Sequence, residues 1–341
     1  MEHKYPHHPD VLEREHLDNG FSRGWALHAK PQTPHFYDCH IHYSGPTEGT
    51  ICQNIASDAK KPYSLGVKGA MVMLQTYGKR WNPSMSSGEI MDKFPYFTIK
   101  ELEERLAGFS ESPHTWAVYL NYHSPEVELV NAVADMGCCC IKLHNAALIE
   151  DNAPPDIWLN KEWSAVFEAI QRRNMAVIWH VTQRRSASAY TWGARNAYWQ
   201  KGWANGTTFT NEDLLQVFLT CCNRYPGIKF IGAHQLHIGW ERTEELFAAH
   251  PNLYVDTSTG GQLKLDEDFY PHDRDYLREM FIRNASRVLF GTDTFWGSVG
   301  RVYDHTSTLQ HIRYIKKLDL PQEELELIAY LNSERLLQTI G

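Results

Sequence analysis

The chain has 341 residues, long for an average domain but well sized for one (β/α)8 barrel, which takes about 250 residues plus insertions. Hydrophobic residues at 43% and charged residues at 22% supply a large core and exclude global disorder. With 41 acidic against 33 basic residues, interspersed to a net charge of −8, the composition argues against a nucleic-acid track or an anionic membrane surface and leaves a small molecule as the expected partner.

The N-terminal stretch Met-Glu-His-Lys-Tyr-Pro-His-His has no apolar centre of the kind a secretory signal needs. No apolar run approaches the ~20 residues of a membrane span, so a cytoplasmic protein is expected. Residues 1–34, with His3, His7 and His8, read as a solvated extension. Beyond it, short runs rich in Val, Ile, Tyr and Phe alternate with longer stretches of helical spacing, the pattern of βα units around a parallel sheet.

The predicted strands are His35–Tyr43, Val67–Gln75, Thr115–Tyr122, Cys138–His144, Ala176–Thr182, Ile228–Gln235, Leu253–Thr257 and Val288–Asp293. Between them, helical spacing covers Ile99–Ala107, Pro125–Met136, Glu162–Arg173, Asn211–Arg224, Arg242–His250 and Asp275–Ile282. Ser124-Pro125 reads as an N-cap followed by proline in the first turn, and Gly137 as the stop of the same helix. Thr306–Lys317 and Glu323–Thr339 follow the eighth strand, the latter as a helix outside the barrel. No Pro-, Gly- or Ser-rich linker divides residues 35–341, so one α/β domain, a (β/α)8 TIM barrel, is expected there. Five of the seven cysteines lie in the runs 138–140 and 221–222, where neighbours cannot easily pair, so reduced, packed thiols are expected.

Alternate residues of a strand share a face, so Asp38, His40 and His42 project together, and His40 and His42 could grip one ion. Ionisable groups recur at the ends of other apolar strands: His180 on the fifth, His234 on the sixth and Asp293 on the eighth. Barrel active sites are built at these carboxyl ends, and such groups are costly to bury without a partner such as a metal ion. Lys142 and His144 face one side of the fourth strand.

The ordered motifs DCHIH (38–42), IKLH (141–144), VIWHV (177–181), IGAHQ (231–235), FGTD (290–293) and LNSERLL (331–337) resemble the amidohydrolase superfamily. The likeness is greatest to its amidohydrolase-related branch of metal-dependent hydrolases, lactonases and non-oxidative decarboxylases, and it runs from Phe36 to Leu337. The resemblance implies His40, His42, His180 and Asp293 as ligands of one divalent ion, and His234 as a second-metal ligand or a group that polarises and protonates substrate. It implies Asp293 as proton acceptor for a metal-activated water, and leaves Lys142 either as a carboxylated bridge between two ions or as a partner for carboxylates. Imidazole with carboxylate suits zinc, with manganese and iron as alternatives. Homodimers are common in the branch, so a homodimer is a further expectation.

The loops after each strand line the mouth and carry selectivity. Residues 182–211 contain Arg184, Arg185, Arg195, Trp192 and further aromatics but no acidic residue, which suits an anionic substrate group held by arginine against flat rings, or an aromatic insertion packed on the barrel. Arg80, in Lys79-Arg80-Trp81 after the second strand, could reach the same mouth or lie in a solvated turn. The leading expectation is hydrolysis of an amide, lactone or ester in a small anionic molecule, and the alternative is non-oxidative decarboxylation of an aromatic or dienoic carboxylate.

Overall fold

The computed structural model describes residues 35–79, 91–182, 207–258, 271–297 and 306–337. Its strands are β1 (Phe36–Tyr43), β2 (Val67–Thr76), β3 (Tyr96–Phe97), β4 (Thr115–Tyr119), β5 (Cys140–His144), β6 (Ala176–His180), β7 (Phe230–Gly232), β8 (Leu253–Asp256), β9 (Val288–Leu289) and β10 (Thr294–Trp296). They pair in parallel in the order β10-β1-β2-β4-β5-β6-β7-β8-β9, with β3 added to β2. Only residues 290–293 separate β9 from β10, and this segment reaches both ends of the sheet. Thr257 N donates to Leu289 O at 2.9 Å, Cys39 N to Phe290 O at 2.9 Å, and Asp293 N to His40 O at 2.8 Å. The sheet is thereby closed into the expected (β/α)8 barrel.

The period of two along each strand builds the interior in layers. Register pairs Cys140 with Ala176, Lys142 with Ile178, and His144 with His180. Cys140, Ala176 and Ile178 join Tyr37, Cys39, Met71 and Ile231 in an apolar plug, while Ile141, Leu143, Val177 and Trp179 belong to the larger core shared with the helices. Apolar residues thus fill the lower barrel and leave the upper layer to ionisable groups. All seven cysteines are free, and all but Cys52 are buried.

Helix starts follow local chemistry. Thr98 and Glu101 form a reciprocal capping box ahead of Ile99–Arg105, and Thr210 and Asp213 form another ahead of Asn211–Arg224. The expected cap at Ser124 is not used: the helix begins at Val127, and Glu126 before it turns its carboxylate to the Lys79 N–H at 2.7 Å. Gly137 does take up a left-handed φ of 87° just beyond that helix. A helix at Ile51–Ser64, not expected from the sequence, carries Pro62 in its last turn. The C-terminal helical region contains a π-turn at Leu327–Leu331, and Ile328 O accepts the Phe290 N–H at 2.9 Å. Asn332 Nδ2 spans the carbonyls of Ala285 at 2.7 Å and Val288 at 2.8 Å, so this region holds the eighth segment from outside. No described helix is long and apolar enough to cross a membrane.

At the opposite end of the barrel, His114 precedes β4, with Nδ1 accepting the Ala70 N–H at 3.2 Å and Nε2 lying 2.8 Å from the Tyr63 hydroxyl. Burial pushes its imidazole down to about 4. Between pH 6.5 and 4 the unfolded chain therefore takes up a proton that the folded chain refuses, so this contribution is complete above about 6.5 and lost as pH falls toward 4. His114→Gln is expected to flatten the fall in urea-unfolding free energy over that interval, by on the order of 2 kcal/mol; an unchanged slope would show that His114 is not the group responsible.

Candidate metal centre

The mouth of the barrel gathers imidazoles and carboxylates from β1, β5, β6, the turn after β7, β8 and the β9–β10 link. His40 and His42 project from β1, and each places Nε2 3.1 Å from Asp293 Oδ1. Lys142 Nζ, fully buried on β5, lies 3.2 Å from His40 Nε2. His180, at the end of β6, places Nδ1 3.2 Å from His234 Nε2. Its strand end is anchored by Asn145, whose N–H donates to His180 O at 3.2 Å and whose Nδ2 donates to Val181 O at 2.7 Å. The His144 ring packs beside it, tilted by 41° with ring centroids 4.1 Å apart.

β7 ends at Gly232, short of the expected Gln235, because His234, Gln235, Leu236 and His237 all have left-handed backbone with φ between 51° and 59°. Such a run costs about 1–2 kcal/mol per residue and needs fixed partners. Gln235 Nε2 donates to the carbonyls of Asp256 at 2.6 Å and Ser258 at 2.7 Å, and Thr182 Oγ1 donates to Leu236 O at 2.5 Å. Gly232 permits the fold-back, since a Cβ there would meet Leu236 Cδ2 at 2.5 Å. The turn brings His234 and His237 into stacking contact, with centroids 4.8 Å apart.

Two groups of potential ligand atoms result, each with all atoms within 4.8 Å of one another: His40, His234 and Asp293, and His180, His234 and His237. Burial pushes His42 down to about 4 and holds His144, His180 and His234 well below the usual histidine range, so these rings are neutral at pH 7, the form that binds metal. Burial alone would raise Asp293, but the charge of His40, which Asp293 and Asp256 raise against burial, and hydrogen bonds to His40 and His42 hold its carboxyl well below the usual range. The 3.1 Å separations around Asp293 approach the spacing of about 3.3 Å between ligands on a tetrahedral ion with bonds of 2.0–2.1 Å. His180 Nε2 is buried without a hydrogen-bond partner. Neutral imidazoles, a carboxylate and an orphaned ring nitrogen fit a divalent cation.

Of the residues expected from sequence, His40 and His42 approach Asp293 and Lys142 approaches His40, whereas His180 shares a ligand group with His234 and His237 and not with His40 or Asp293 among the described residues, and His42 falls in neither group. Asp38 does not turn toward the two histidines. Its Oδ1 accepts the N–H groups of His40 at 3.1 Å and Thr292 at 3.0 Å, and its Oδ2 accepts the Thr292 hydroxyl at 2.6 Å. Arg80, Arg184, Arg185, Trp192 and Arg195 lie outside the described residues. The sequence reading missed Asp256 and Ser258. Asp256 Oδ2 lies 2.7 Å from His40 Nδ1, and Ser258 Oγ lies 2.7 Å from His234 Nδ1. A signal for Asp256 was present, a lone carboxylate closing the otherwise apolar run Leu253-Tyr254-Val255.

Barrel and site together define a (β/α)8 protein with a candidate divalent-metal centre at the carboxyl ends of its strands. The chain belongs to the amidohydrolase family, whose sequence profile, described as Amidohydrolase, matches residues 113–339. Among solved structures, a dihydroorotase from Campylobacter jejuni is similar at TM-score 0.52 and 14% identity, over 90% of this chain and 84% of that one. A 5-carboxyvanillate decarboxylase from Sphingomonas paucimobilis is similar at TM-score 0.52 and 10% identity, over 90% and 99%. An uncharacterized TIM-barrel protein from Bordetella bronchiseptica is similar at TM-score 0.54 and 11% identity, over 89% and 98%. At these identities the likeness shows the fold. No curated protein sequence matches the chain.

Gly291 packs directly behind the site: a Cβ there would lie 3.1 Å from Asp256 Cβ and 3.2 Å from His40 Cβ. Gly291→Ala is expected to keep the fold, to cost about 1–3 kcal/mol of stability through crowding, and to weaken divalent-ion uptake measured by equilibrium dialysis and elemental analysis. Unaltered uptake would show that the position of His40 does not govern ion binding.

Proposed function

We propose that the protein is a metal-dependent hydrolase acting on an amide, lactone or ester bond of a small anionic molecule. The observation that carries this reading is the convergence of His40 Nε2 and His42 Nε2 on one oxygen of Asp293, each at 3.1 Å. His40, His42, Asp293 and His180 would hold the ion, and zinc suits this imidazole and carboxylate set. When bound, a divalent cation supplies Lewis acidity toward a carbonyl oxygen and lowers the pKa of water.

The chain's own groups complete the chemistry. Asp293, anionic at neutral pH, accepts the proton of the attacking water as the new carbon–oxygen bond forms, and returns it to the departing nitrogen or oxygen as the scissile bond breaks. Lys142 brings an amine to the same space and orients a carbonyl or carboxylate oxygen. His234 offers a neutral ring nitrogen beside His180. Arg80, Arg184, Arg185 and Arg195, with Trp192, remain the proposed recognition groups for an anionic substrate. A second reading, non-oxidative decarboxylation, draws on His234: a carbon that loses carboxylate must gain a proton, and in this reading the His234 imidazole supplies it.

Dialysis against a chelator is expected to abolish turnover, with recovery on adding Zn2+ or Mn2+. A panel of lactones and N-acyl compounds should release acid, whereas bicarbonate release from aromatic or dienoic carboxylates alone would favour the second reading. Asp293→Asn is expected to retain the circular-dichroism spectrum and lose at least about 100-fold in turnover; full activity in that variant would remove Asp293 as proton acceptor.

A further inference from the structure

Asp256 and Ser258 make a chain of short contacts beneath the two central imidazoles. Asp256 Oδ2 lies 2.7 Å from His40 Nδ1. Asp256 Oδ1 accepts the N–H groups of His234 at 2.9 Å and Ser258 at 3.0 Å, and the Ser258 hydroxyl at 2.5 Å. The same Ser258 Oγ lies 2.7 Å from His234 Nδ1 and 3.4 Å from His40 Nδ1. Both Asp256 and Ser258 are completely buried, so no water competes for these groups.

We propose that Asp256 and Ser258 are positioning residues that fix a hydrogen on Nδ1 of both His40 and His234, so that each ring presents its Nε2 to the mouth of the barrel. A carboxylate can only accept, so the ring nitrogen 2.7 Å from Asp256 must carry a hydrogen. Ser258 has one proton, and the 2.5 Å contact places it on Asp256. Its oxygen can then only accept from His234, which puts the hydrogen on Nδ1 there as well. With the opposite tautomer at His234, Ser258 would turn its proton to the ring and leave two acceptor oxygens in contact at 2.5 Å.

Asp256 stays an acceptor. Its carboxylate oxygens meet the His40 ring nitrogen, two backbone N–H groups and the Ser258 hydroxyl. One buried anion therefore sets the direction of two rings, a proposed ion ligand and a proposed proton-handling group. Carboxylates behind metal-bound histidines act in this manner. The inference builds on the functional reading above, but the tautomers can be read without metal or substrate.

The experiment is long-range 1H–15N correlation on the full-length, metal-free protein carrying 15N-histidine, with assignments from His40→Gln and His234→Gln. Both rings are expected to show a protonated, pyrrole-type Nδ1, and His234 an unprotonated, pyridine-type Nε2; His40 Nε2 faces the Asp293 carboxylate at 3.1 Å and carries a hydrogen until a cation replaces it. Ser258→Ala should release His234 toward the Nε2–H form and leave His40 unchanged, whereas Ser258→Thr should keep the wild-type pattern. Asp256→Asn should disturb both rings and weaken divalent-ion affinity about 10–100-fold. An unprotonated Nδ1 on His234 or His40 in the wild type overturns the proposal, and this reading needs no variant to fold. So does a Ser258→Ala protein in which His234 remains wholly Nδ1–H. A protein with both expected tautomers that takes up no divalent ion would instead remove the metal reading and leave the lock standing.

Discussion

Asp293 reaches the histidines of β1 because its own N–H donates to the carbonyl of His40, while the Cys39 N–H donates to the carbonyl of Phe290. This seam between the first and eighth segments closes the barrel and creates the site in the same set of bonds. Asp38 reinforces it by accepting two backbone N–H groups and the Thr292 hydroxyl. Asp293 itself interrupts the strand with a φ of 58°, which turns its side chain back over β1. A continuous eighth strand would send alternate side chains straight up and down and would not bring one carboxylate oxygen against two imidazoles.

Three carboxylates lie within this small volume, and their surroundings divide their roles. Asp38 is pushed up to about 7 by burial, even with its full set of donors, and serves the seam. Asp256, deeper still, is held anionic by His40 and supports two rings from below. Asp293 is the one that remains partly exposed, at 14% of its side-chain surface. Buried anions are tolerated only with such partners, so the positions of the histidines and hydroxyls follow from those of the carboxylates.

The left-handed turn after β7 shows how the remaining imidazole is delivered. Its strain persists because Gln235, Thr182 and Thr243 tie its backbone to β6, β8 and the next helix. Strain confined to a segment that carries His234 is consistent with a site whose geometry is held rigidly rather than assembled on binding.

The sequence by itself determined the barrel, most of its strands and the residues that converge, because apolar periodicity and lone ionisable groups at strand ends are local signals. Asp293, His40, His42, His180, His234 and Lys142 could all be named from such runs. Its weaker points were also local. Pro62 obscured the helix Ile51–Ser64, and the strand pattern of residues 228–235 hid a change of backbone hand that no periodicity encodes. Tertiary structure alone decided that Asp38 faces the seam, that Asp256 and Ser258 stand behind His40 and His234, and which nitrogen of each ring meets which partner. Two of those contacts, Asp38 with Thr292 and His40 with Asp256, join residues more than two hundred positions apart, which only closure of the barrel brings within reach, and Ser258 meets His234 through the fold-back after β7.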